Sequence, residues 1–413
     1  MSVAPSMPTD LLTPLGAYLR LRGSGRGAFL LESVERGRLG RYSFVGTGSR
    51  LCDLAEAEAC GEPVVGYLAY DHVAQLEPTV PLPAEPARFA ESRFVVAETL
   101  LRFDHAGGMA DVLAGDPGAV AAQLEAPAPP VPKVGARHTA RPGELRRFPT
   151  REAYQAAVVS AQDAIRAGEA FQIVLSQRAE RPTMASALDL YRALRRVNPS
   201  PYLFLLELDE LALIGSSPET LVKVTGRHAS LNPIAGTTEA GEGDAERLLT
   251  SAKDRAEHIM LVDLGRNDLS RVCRAGTVRV DRFLEPERFS HVTHLVSEVS
   301  GELRDGVGPF DLLRACFPAG TVSGAPKVRA MQLISELEGA RRGPYAGAVG
   351  YALPNGDLDT CITIRTILLA DGVAHLQAGA GIVVDSDPAA EHEECLRKLA
   401  ALEVAIELAE AEE

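Results

Sequence analysis

The chain has 413 residues, 46% of them hydrophobic and 24% charged, enough for one large or two medium globular domains with a sizeable core. Its 42 basic and 56 acidic residues leave a net charge of −14, which excludes a whole-chain electrostatic footprint for nucleic acid or an anionic membrane. No stretch approaches the roughly 20 apolar residues of a membrane span and no secretory-type apolar run opens the chain, so a cytoplasmic protein is expected.

An anionic substrate must therefore be caught locally, by placed Arg side chains, backbone amides or a metal ion. The six cysteines, Cys52, Cys60, Cys273, Cys316, Cys361 and Cys395, form no C-x-x-C pair, and none sits in a Gly-x-Cys-x-Gly turn that would expose an acyl-transfer nucleophile. Reduced thiols and no glutaminase activity are expected.

The first break in chain order is the Pro-dense run at residues 126–134, an extended connector between an N-terminal part (1–140) and the remainder (145–413). Thr150 then offers an N-cap, and Tyr154, Val158, Ala161 and Ile165 recur at helical spacing until Gly168. A second helical pattern runs from about Ala245 to Leu264 and carries Asp254 and Glu257 three apart. Glu391 and Glu394 repeat that spacing after Pro388, which suits a first helical turn. Each pair lies on one helical face. Two such faces brought together would offer the oxygen ligands Mg²⁺ prefers, although a carboxylate stripe equally fits a solvated surface.

Three β-branched runs, 346–353, 358–369 and 373–384, are punctuated by Asn355-Gly356 and Asp371-Gly372, strong two-residue hairpin signals. Tight turns would pair Pro354 with Asp357 and Ala370 with Val373, placing Arg365 opposite Ala378 on one side and Ala346 on the other. Tyr345 and Gly379-Ala380-Gly381 then fall beside Arg365. A guanidinium, a phenol and bare amides form an anion pocket, unless Arg365 lies on an edge strand facing water.

Together with Pro233-Ile-Ala-Gly-Thr237, Pro218-Glu219-Thr220, Asp254–His258 and Gly265-Arg-Asn-Asp268, these segments resemble the chorismate-utilising enzymes from about Phe148 to Ile406. That family includes the anthranilate, aminodeoxychorismate, isochorismate and salicylate synthases. The resemblance implies an α/β (α+β) fold in which large, mainly antiparallel sheets pack as a β-sandwich with helices outside. It implies Mg²⁺ held at Glu257 and Glu394 with Asp254 and Glu391 in or near its shell. Chorismate contacts are implied at Gly236, Thr237, Tyr345, Arg365, Gly379, Ala380 and Gly381, and active-site roles at His294, Thr321 and Glu219.

Two positions then select the chemistry. Isochorismate-type relatives use a Lys base where this chain has Gln172, and aminodeoxychorismate synthases place a Lys where it has Ala235. A methyl group cannot attack, and an amide is no base. The nucleophile is therefore expected to be ammonia from a separate glutamine amidotransferase subunit, giving anthranilate and pyruvate. A 4-amino product, or a non-catalytic sensor of chorismate or tryptophan, is the alternative. In the N-terminal part Leu30-Leu31-Glu32-Ser33 and Gly40–Phe44, together with Asn198-Pro-Ser-Pro201-Tyr202 beyond the connector, resemble the segments through which family members bind tryptophan as inhibitor, with Leu203 standing where a Met is common. Allosteric contacts are implied at Leu31, Glu32, Ser33, Pro201, Tyr202 and Leu203. After Gly236-Thr237 the chain departs from the Arg-containing turn common in relatives, reading Thr238-Glu239-Ala240-Gly241.

Overall fold

The computed structural model describes residues 6–23, 25–33, 41–127, 129, 143–209, 211–239, 241, 243–288 and 292–411. Gly40, Ala240 and most of the Pro-dense connector fall outside the described residues.

Two sheets dominate, of 12 and 10 strands among the described residues, and every described strand pairing is antiparallel. Alternation along each strand sends one set of side chains between the sheets and the other outward. Phe29, Phe44, Val65, Tyr67, Val95, Phe204 and Val349 fill the space between the sheets. On the outer face of the larger sheet, helices Ala187–Val197 and Pro388–Glu410 bury Leu190, Leu194, Leu399 and Leu402. Helices Ala252–Ser270 and Pro309–Cys316 cover the smaller sheet with Val262, Leu269 and Leu313. The expected β-sandwich with helices outside is the observed fold. Strands from before and after the connector share both sheets: Gly27–Glu32 pairs with Tyr202–Leu208, and Val64–Leu68 with Ala348–Ala352.

Local signals place the helices well. Thr150 caps Arg151–Arg166, its hydroxyl accepting from the Ala153 amide at 3.3 Å, and Gly168 follows at φ +81°. Asp387 caps Pro388–Glu410. The pattern over 245–264 is not one helix. Asp244–Thr250 ends at Ser251, whose side chain caps Ala252–Ser270 by accepting from the Asp254 amide, so Asp254 lies in the first turn of that helix and Glu257 in the second.

The C-terminal meander departs from the expected register in two ways. The Asp371-Gly372 turn is as expected, with Ala370 opposite Val373 and positive φ at both turn residues. Around Asn355-Gly356, however, the Leu353 amide donates to the Asp357 carbonyl, so the loop is three residues long, with only Gly356 at positive φ, and the register moves by one. The run 358–369 is also two strands. Leu358–Ile362 belongs to the smaller sheet and Thr366–Ala370 to the larger, and the chain crosses between them at Thr363–Arg365. Arg365 turns that corner at φ +50°, a conformation a β-carbon disfavours and the surrounding structure must enforce. A second crossing lies beside it. Strand Leu211–Ser217 in the larger sheet passes through Pro218-Glu219 into Thr220–Thr225 in the smaller one. The corners are tied by Ile362 N–H to Glu219 O at 3.0 Å, Ser217 Oγ to Ile362 O at 2.7 Å and Ser216 N–H to Arg365 O at 3.1 Å.

Candidate active site and a second cavity

The adjoining corners place Glu219 and Arg365 at one end of the interface between the sheets. Arg365 forms no ion pair or side-chain hydrogen bond among the described residues, and burial holds its pKa below the ordinary guanidinium range. Tyr345, 6% exposed, lies within its field, and burial pushes that phenol up. A Cβ built on Gly379 would lie 2.9 Å from the Tyr345 hydroxyl and 3.0 Å from the Leu175 carbonyl, so only glycine leaves the strand this close to the phenol. A Cβ on Gly381 would meet Gln172 Nε2 at 2.2 Å. Ala380 is different. Its side chain is fully buried with Leu175 and Cys395 on the helix-covered face, so only its backbone can serve a ligand between the sheets.

Gln172 projects from the neighbouring strand of the same sheet, 4% exposed, with its amide 3.4 Å from Glu257 Oε1 and its own Oε1 without a partner among the described residues. Gly236, at φ +69°, sits where a Cβ would touch Asp254 Cβ at 3.2 Å. Its carbonyl accepts from His294 Nδ1 at 3.1 Å, and Thr237 is His294's register partner. A carbonyl only accepts, so Nδ1 carries the proton and the neutral ring presents an unprotonated Nε2. Burial is the main cause lowering the His294 pKa; the Gly236 bond opposes it and the Arg365 charge adds to it. The neighbouring His258 is turned away, fully buried, 2.6 Å from Ser297 Oγ, and held neutral by burial with a pKa of about 4.

Glu219 is 8% exposed, and burial raises its carboxyl to about 8, a shift eased by Thr321 and by the Lys398 charge. Thr321 Oγ1 lies near that carboxyl but makes no hydrogen bond of good geometry among the described residues. Lys398, which the motif reading left out, donates to Gly379 O and to Glu394 Oε1, both at 2.8 Å. Its i,i+4 spacing from Glu394 was the available signal. Glu391 is buried and accepts from Ser386 Oγ at 2.7 Å. Among the described residues no three of the His, Cys, Asp and Glu side chains converge as a ready metal cage. Asp254, Glu257 and Glu394 each lie next to another residue of the candidate site: Asp254 by Gly236, Glu257 by Gln172 and Glu394 by Lys398.

A second cavity, with about 700 Å³ of empty space partly open to solvent, lies between the sheets nearer the N-terminal strands. Leu31, Glu32, Ser33, Pro201, Tyr202 and Leu203 all border it, together with Phe44, Lys223, Tyr351 and Asp359. Alternation divides these residues. Leu31 and Tyr202 pack with the inter-sheet core, and the Ser33 hydroxyl donates to Pro201 O at 2.9 Å. Glu32 and Leu203 point to the other face: the Glu32 carboxylate receives the Tyr191 hydroxyl and pairs with Arg195 at 3.3 Å, and Leu203 joins the core under the helices. The Phe44 and Tyr351 rings meet at a 41° tilt with centroids 4.2 Å apart, and Lys223 pairs with Asp359 at 3.0 Å. Reading consecutive residues from a motif misses this, because strand neighbours face opposite ways.

Residues 36–403 match the family model described as chorismate binding enzyme. The anthranilate synthase component 1 of Thermus thermophilus is 43% identical, with 97% of each chain covered, and that of Streptomyces coelicolor is 43% identical over 97% of this chain and 88% of its own. The crystal structure of anthranilate synthase component I from Streptococcus pneumoniae superposes with a TM-score of 0.81 at 32% identity, covering 97% of this chain and all of that one. The menaquinone-specific isochorismate synthase of Escherichia coli shares the fold at 22% identity, with a TM-score of 0.76 over 98% of this chain and 94% of its own. With its candidate site at the two corners where strands change sheets, the chain belongs to the chorismate-binding enzymes, among the anthranilate synthase component 1 proteins.

Proposed function

We propose that this chain converts chorismate and ammonia to anthranilate and pyruvate, the first step of tryptophan biosynthesis, with the ammonia delivered by a glutamine amidotransferase subunit. The observation that carries this reading is chemical. The buried strand position Ala235 bears a methyl group and Gln172 an amide, so neither can supply the nucleophile or activate water. The cysteines support an external nitrogen source: burial pushes Cys52 up to about 11 and also raises Cys316, Cys361 and Cys395, so these thiols stay protonated.

In this reading Arg365, Tyr345 and the backbone at Gly379 and Gly381, which no side chain covers, hold the enolpyruvyl carboxylate. Ammonia adds at C2 and the C4 hydroxyl departs. Glu219, protonated at neutral pH, is the group able to give that hydroxyl a proton. His294, with an unprotonated Nε2, is suited to accept a hydrogen bond or a proton. Glu257 and Glu394 would hold Mg²⁺, with Asp254 and Glu391 behind them. The donors are all oxygen and incomplete as a cage, which suits an ion that keeps water and binds substrate oxygens. When bound, the ion neutralises the ring carboxylate and stabilises developing negative charge. The second cavity offers two aromatic rings and an ion pair to an amino acid with a large ring, and tryptophan is its proposed occupant.

The test is an assay of the purified chain with chorismate and Mg²⁺ under two nitrogen sources. Ammonium salts should support anthranilate formation and glutamine should not, until an amidotransferase subunit is added. Formation of a 4-amino product would overturn the argument from Ala235, and glutamine-driven turnover by this chain alone would overturn the argument from its cysteines.

A further inference from the structure

Arg342 belongs to none of the residue sets assembled above, yet its side chain is 1% exposed and uses its donors in four directions. Nε donates to Glu338 Oε2 at 2.9 Å. One terminal nitrogen donates to Glu338 Oε1 at 2.7 Å and to the Val174 carbonyl at 2.8 Å, and the other to the Val322 carbonyl at 2.7 Å. The guanidinium lies over the ring of Tyr70 at 4.6 Å and beside that of Tyr345 at 5.7 Å. Asp71 anchors the segment by accepting the Arg342 and Gly343 amides at 3.1 and 3.2 Å. Glu338 in turn accepts from the Ser176 amide and hydroxyl at 2.7 and 2.8 Å.

The carbonyls it holds are informative. Val322 directly follows Thr321, the neighbour of Glu219. Val174 lies opposite Gly381 in the sheet, two residues beyond Gln172. Tyr345 is the phenol against Gly379. Three pieces of the pocket, drawn from distant parts of the chain, meet at one planar group with five donors in fixed directions. No other side chain could hold two backbone carbonyls and a carboxylate at those angles while presenting a flat face to two rings.

We propose that Arg342 is a positioning residue of the chorismate site, setting the spacing between the Thr321 turn, the Gln172 strand and Tyr345 without touching substrate itself. The proposal rests on the function proposed above. Misplacing reacting groups by about 1 Å costs on the order of 10²-fold in rate even when binding survives, so the effect should fall on kcat more than on KM.

Arg342→Lys keeps the charge opposite Glu338 but not the fork. Steady-state kinetics with chorismate and ammonium salts should give a kcat reduced by about 10²-fold, a KM for chorismate changed by only a few-fold, and an unchanged circular dichroism spectrum. Should the lysine variant not fold, the double variant Arg342→Met with Glu338→Gln removes the buried pair together and leaves an amide oxygen for Ser176, avoiding an isolated buried charge. It should fold and show the same loss of kcat. A folded variant of either kind with kcat within about twofold of wild type would overturn the proposal, and so would a loss confined to KM. A wild-type chain that makes no anthranilate removes the proposed function, whereas an active wild type with unimpaired variants removes only the role of Arg342.

Discussion

The Glu219 carboxyl allows the proposed chemistry to be tested by two independent measurements. Raising it from its ordinary 4.5 to about 8 means that ionising it in place costs about 5 kcal/mol more than in water. The folded-state pKa is raised, so the linked stability is fully present below the unfolded value of 4.5 and is lost as pH rises toward 8. Compared with Glu219→Gln, which cannot titrate there, wild type should lose up to about 5 kcal/mol across that window, read as diverging denaturant midpoints. Activity should follow the same proton. With free NH₃ held constant, the wild-type rate should fall above about pH 8, whereas Glu219→Gln should be about 10²- to 10⁴-fold slower and lack that alkaline limb. Parallel pH dependence of stability in the two proteins would refute the raised pKa. An alkaline limb retained in the Gln variant would assign the proton to another group.

Three further outcomes are expected. Glu394→Gln should fold normally, since the side chain is 40% exposed and pairs only with Lys398 among the described residues, but should lose Mg²⁺-dependent turnover; a wild-type response to Mg²⁺ titration would remove Glu394 from the metal set. Ser33→Leu should disturb the Ser33–Pro201 contact at the rim of the second cavity and weaken tryptophan inhibition while leaving kcat near wild type; equal inhibition of both proteins would count against a tryptophan site there. Gly379→Ala would place a methyl 2.9 Å from the Tyr345 hydroxyl and 3.0 Å from a backbone carbonyl, costing about 1–3 kcal/mol of stability and on the order of 10²-fold in kcat, measured by thermal melting and steady-state kinetics. A neutral effect on kcat would show that the substrate does not approach that strand.

Much of this protein was determined locally and was therefore legible in its sequence. The Thr150 cap, Pro388 in a first helical turn, the helical spacing of Tyr154 and Val158, and the Asp371-Gly372 turn depend on residues a few positions apart, and all appear where the pattern puts them. The pairing of Asn355-Gly356 failed because a two-residue and a three-residue loop use the same residue types, and one extra position shifts the whole ladder. Only the tertiary structure decided that residues 358–369 change sheets. That depends on which strands are available as partners on either side, and no periodicity records it. The same crossing turns Arg365 inward at the corner that adjoins Glu219, while strand alternation sends Ala380, Glu32 and Leu203 to the helix-covered faces and the meeting of distant segments gives Arg342 carbonyls at Val174 and Val322 to hold. Motif resemblance names residues along the chain, but which of them face one another is set by packing two twisted sheets into a single interface.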